Sequence, residues 1–97
     1  MVKQTSFAHQ RQVLENFVSL LSSLESSMLE LAQKYEQEII ALYEEQGLMD
    51  EIYTGYMSKH LRPTKSALEE LANNISTKDL PFVEKELDFI ASREDFI

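Results

Sequence analysis

The chain has 97 residues, seventeen acidic against nine basic side chains for a net charge of −8, and no cysteine. The acid excess repels a phosphate backbone and disfavours nucleic-acid binding, and the missing thiols remove thiol catalysis, thiolate metal sites and disulfides. A single domain spanning residues 1–97 buries only about 60–65% of its unfolded surface, so the expected core is modest.

The opening residues Met1-Val2-Lys3-Gln4-Thr5-Ser6 carry no export signal, and the longest apolar run, Ile39 to Tyr43, is far too short to span a bilayer. A cytoplasmic protein without membrane association is expected, with signal-less secretion left open. The first 46 residues contain neither Gly nor Pro. Leu14, Phe17, Leu21, Leu24, Met28, Leu31 and Tyr35 step by three and four, which predicts one amphipathic helix over about 7–46 with Ser6 as its N-cap. Such a helix is about 60 Å long at roughly 1.5 Å per residue, so one side of it needs a partner. Val13, Val18, Leu20, Leu29, Ala32 and Ile40 widen the stripe to about half the circumference, enough for two neighbours. A step of four from Tyr35 to Ile39 adds a stutter to the heptads. Ser19, Ser22, Ser23, Ser26 and Ser27 read as a solvated side.

Gly47 followed by Leu48 is a helix stop of the Schellman kind, with Asp50 placed to cap the next helix. A link of two or three residues makes the two helices antiparallel neighbours. In that hairpin the basic cluster Lys59, Arg62 and Lys65, with His60 beside it, faces Glu30, Glu36 and Glu38.

The second helix is expected over about 51–74, with Tyr53, Met57, Leu61, Leu68, Leu71 and Ile75 on one face. Gly55 costs it about 1 kcal/mol and Pro63 roughly 3 kcal/mol or more, which predicts a kink or break near residues 60–63. Asn73, Asn74, Ser76 and Thr77 favour caps over helix interiors, so a third helix is expected over about 79–93, beginning before Pro81. It either continues the return arm or folds back as a third bundle member. Leu80, Val83, Leu87 and Ile90 form one stripe of it, while Phe82, Phe89 and Phe96 recur every seven residues about 140° away. One docking surface does not cover both.

The fold class is therefore all-α: a long antiparallel helical hairpin with a kinked or broken second arm and a short C-terminal third helix. His9 and His60 are isolated, no Glu-x-x-His or His-x-x-x-His pair is present, and the two glycines build no phosphate loop. No enzyme, metal or cofactor is expected. The expected function is a non-enzymatic protein–protein interaction module, a chaperone-like adaptor or self-associating bundle, with a homodimer or another protein as partner. Candidate interface residues are Phe82, Phe89, Phe96, Leu20, Val18 and Ile40.

Tyr53-Thr54-Gly55, close after a helical turn in a chain of this length, resembles the Trp-x-Gly of the small helical-hairpin substrates of specialised (type VII) secretion. Phe82 with Glu86 has the aromatic-to-acid spacing of that family's C-terminal signal. The resemblance implies an exported dimeric four-helix bundle. This chain departs from the pattern in lacking Trp and in placing its turn at Gly47. Secretion and flagellar export chaperones share its size, acidity and long apolar helical faces.

Overall fold

The computed structural model describes residues 6–94, which contain helices and no strand. α1 runs Phe7–Gln46 without interruption. Ser6 caps it as expected: its Oγ accepts from the His9 N–H at 3.1 Å and its carbonyl from the Gln10 N–H at 3.0 Å. The helix ends where Gly47 takes φ +76°, a left-handed conformation that side-chain-bearing residues adopt at a cost. The Leu48 N–H then returns to the Leu42 carbonyl at 3.1 Å, which closes the helix end.

The return arm begins with α2, Asp50–Tyr56. Asp50 is its first residue and not its cap. Met49 occupies the cap position without a side-chain bond, and Asp50 and Glu51 complement the helix dipole from the first turn.

Near residues 60–63, where a kink or break is expected, the helix does not break. A π-turn over Met57–Leu61 leads directly into α3, Arg62–Asn74, and a second over Ile75–Asp79 leads into α4, Leu80–Glu94. The Arg62 N–H donates to the Met57 carbonyl and the Leu80 N–H to the Ile75 carbonyl, both five residues back. Backbone angles at the joins stay right-handed helical, from Tyr56 (φ −65°, ψ −46°) to Leu80 (φ −61°, ψ −48°). The return arm is thus one helical run, and the separate C-terminal third helix expected from residue 79 is its continuation. Proline explains the turns. Pro63 and Pro81 each stand second in the helix that follows a π-turn, and the wider turn gives the ring the room that a regular i−4 carbonyl denies it. Asn73 and Asn74, expected as breakers, stay helical.

The described residues fall into two compact units. One holds Glu25–Asn73, in which α1 turns through Gly47–Met49 into α2 and α3 as an antiparallel hairpin. The other holds the described residues up to Leu24 and from Asn74 onward. The fully buried side chains are few: Leu61 at 0% exposure, with Ala32, Ala72, Val83, Ile75 and Leu21 also in the core. Two of those six are alanines, which fits arms that approach closely through small side chains.

The inner row of α1 is Leu14, Val18, Leu21, Met28, Ala32, Ile39 and Tyr43. Phe17, Leu24 and Leu31, expected in the same stripe, are exposed, as is Leu71 on α3, whose place in the core is taken by Ala72. The second π-turn decides the pattern in α4. An uninterrupted α-helix would swing Leu80 about 140° away from Ile75, and the extra residue in the turn brings it back, so that Leu80, Val83, Leu87 and Ile90 all face inward.

Candidate interaction surface

In the unit of Glu25–Asn73, an apolar groove of about 480 Å3 opens between α1 and α3. Leu31, Lys34, Tyr35 and Glu38 line it from α1, and Thr64 and Leu68 from α3. Lys34 and Glu38 pair across one helical turn at 3.9 Å, and both heads are well exposed, so they border the groove without filling it. A second hollow of about 240 Å3 lies nearer the turn among Ile39, Leu42, Leu48, Ile52 and Tyr56.

All four tyrosines of the chain gather in this unit. Tyr43 and Tyr53 stack at 4.1 Å, while Tyr35 and Tyr56 meet edge to face at 6.4 Å with their hydroxyls sharing a hydrogen bond of 2.6 Å. The Asp50 carboxylate, hydrogen-bonded to the Tyr43 hydroxyl, raises that tyrosine's pKa, and the bond to Tyr35 raises that of Tyr56. His60 lies against the Tyr56 ring at 5.4 Å. Of the expected basic–acidic contacts, Lys65 reaches Glu36 at 3.2 Å with both side chains about one third exposed.

In the other unit, Val13, Phe17, Leu20 and Leu24 are exposed on α1, and Phe82 and Phe89 on α4, the last two at 64% and 50%. All but Leu24 stand one residue before an inward-facing position: Leu14, Val18, Leu21, Val83 and Ile90. In an antiparallel pair, the positions just before the core fall on the same side of both helices. The Arg93 guanidinium covers one face of the Phe89 ring at 4.8 Å.

The candidate interface residues therefore divide. Leu20, Phe82 and Phe89 are exposed, Val18 and Ile40 are half-buried against their own chain, and Phe96 lies outside the described residues. Val13, Phe17, Leu24 and Leu31 belong with the exposed set and were missed, because a period of 3.6 assigns adjacent stripes on one wide apolar face to a single core. The signal was present in the width of that face. Among the described residues no group of acidic and histidine side chains is placed to hold a metal ion, and no helix is long and apolar enough to cross a membrane.

No family model matches the chain, and no curated protein or solved structure matches it either.

Proposed function

We propose that the protein is a non-enzymatic interaction module that binds an amphipathic helix in the apolar groove between α1 and α3 of the Glu25–Asn73 unit. One observation carries this: an open groove bordered by Leu31, Tyr35 and Leu68, with exposed leucines and phenylalanines outnumbering buried ones among the described residues. Exposed apolar side chains beside a groove mark interaction surfaces, and this groove has the form that accepts side chains stepping by three and four on a helix. A chaperone-like adaptor and a self-associating bundle both use this chemistry. The secretion-hairpin reading gains from the two-armed architecture. It loses more from Gly55, which sits inside α2 and away from the turn.

The test is Leu31→Glu beside Phe89→Glu. Both side chains are about half exposed, so helicity and cooperative unfolding should survive. Association, followed by light scattering at micromolar concentration, should be lost in at least the Leu31 variant. Unaltered association in both variants overturns the reading.

A further inference from the structure

Within the Glu25–Asn73 unit, the two hollows lie in line. Leu31 borders the first and Leu42 the second, and eleven residues at about 100° each bring these two within about 20° of one another around α1. Thr64 and Leu68 face the first hollow from the return arm, and Ile52 and Tyr56 the second. Tyr35 lines the first and Tyr56 the second, so their hydrogen-bonded hydroxyls form the partition between them. The result is one trough with two apolar seats. Leu29, also exposed, lies about 200° around α1 from Leu31 and so on the other side.

The spacing of the seats fits a helix. α1 lines the first with Leu31, Lys34, Tyr35 and Glu38 and the second with Ile39 and Leu42, and the two sets are centred six residues apart, about 9 Å at roughly 1.5 Å per residue. A helix lying along the trough returns to one face after four or seven residues, about 6 or 10.5 Å, and the longer step is the closer match. An extended strand returns after about 6.8 or 13 Å and fits less well.

Charge along the trough is graded. Residues 39–58, the turn end that surrounds the second seat, hold Glu44, Glu45, Asp50 and Glu51 and no Lys, Arg or His. Glu45 stands one turn beyond Leu42 on its side of α1, and Glu51 adjoins Ile52. Nearer the first seat, Lys34 pairs with Glu38 and Lys65 with Glu36. The whole unit holds ten acids against four Lys and Arg, and a second copy would meet that excess with its own. The complementary surface is apolar on one face and positive at the end that covers the turn.

We infer that the occupant of this trough is a cationic amphipathic helix of another protein, with two large apolar side chains seven residues apart in the two seats and Lys or Arg flanking the one over the turn. This rests on the interaction-module reading above and specifies its partner.

The probes are labelled helical peptides read by fluorescence anisotropy: one with two leucines seven residues apart and lysines flanking the second, one with glutamates in place of the lysines, and one with the leucines five apart. The lysine peptide should bind at least about tenfold more tightly than either of the others. Leu31→Glu should weaken it by at least about tenfold although the variant is more acidic, because a carboxylate then stands in an apolar seat. Leu29→Glu, which adds the same charge on the other side, should leave binding unchanged. Both side chains are about half exposed, and circular dichroism checks that helicity survives. Equal binding of the glutamate peptide overturns the cationic partner and leaves the groove as a helix site. Equal binding of the peptide with leucines five apart overturns the two-seat geometry alone. Binding of the lysine peptide that neither variant weakens, or that both weaken alike, is adhesion to an acidic surface and overturns the groove reading as well. If no peptide binds and light scattering shows a dimer that Leu31→Glu dissociates, a second copy is the occupant, which overturns the inference and keeps the interaction module. A monomer that binds no peptide overturns both.

Discussion

At the residue scale, the two glycines make opposite demands. A Cβ on either would meet nothing within 4 Å, so packing does not separate them. Gly47 sits at φ +76°, and Gly47→Ala should cost about 1–2 kcal/mol in left-handed strain. Gly55 lies inside α2 in a conformation any residue adopts, and Gly55→Ala should stabilise by about 0.5–1 kcal/mol. Urea denaturation should move the midpoint down for the first and up for the second. The tyrosines add a pH dependence of known sign. Tyr43 and Tyr56 have pKa values raised above the ordinary 10.0, so each contributes stability that is complete below pH 10 and lost as pH rises through the folded-state pKa. Thermal melting should therefore fall at alkaline pH above 10, and the fall should shrink in Asp50→Asn, which removes the carboxylate that raises Tyr43.

At the element scale, each π-turn is an extra residue in a helix that otherwise keeps a regular inward stripe. Ile75 to Leu80 is a step of five, which only the widened turn reconciles with one face. Deleting one residue from a helix interior normally rotates everything beyond it by about 100° and destroys its packing. Here, deleting Thr77 turns the step of five into a regular step of four. Combined with Pro81→Ala, which removes the ring that needs the wider turn, the deletion should leave a cooperatively folded protein with unchanged or greater helicity. Deleting Ser23 from the middle of α1 should instead abolish cooperative unfolding. Circular dichroism and denaturant titration of the two deletions separate these outcomes.

For the whole molecule, on the proposed self-association, exposed apolar side chains favour contact and a net charge of −8 on each copy opposes it. Salt screens the second and leaves the first untouched, since the Debye length shrinks from about 10 Å at 0.1 M to about 3 Å at 1 M. Self-association should therefore tighten with sodium chloride, read as a lower dimer Kd by sedimentation equilibrium. An interface held by ion pairs would weaken over the same range.

The all-helical class, the extent of α1, its Ser6 cap and the stop at Gly47 were legible in the residues alone, because each depends on local chemistry: periodicity, a hydroxyl in reach of an N–H, and the one residue type at ease with positive φ. The pairing of Lys65 with Glu36 followed from the position of that turn. The continuity of the return arm was not legible. Pro63, Pro81 and the Asn73-Asn74 pair read locally as breaks, and it is packing of Leu61, Ile75 and Val83 in the core that keeps the helix going through two π-turns. Nor could periodicity divide the wide apolar face of α1 into a buried row and an exposed seam. Adjacent stripes obey the same 3.6-residue repeat, and only the place where the return arm lies decides that Leu21 and Ala32 are covered while Leu20 and Leu31 remain in water.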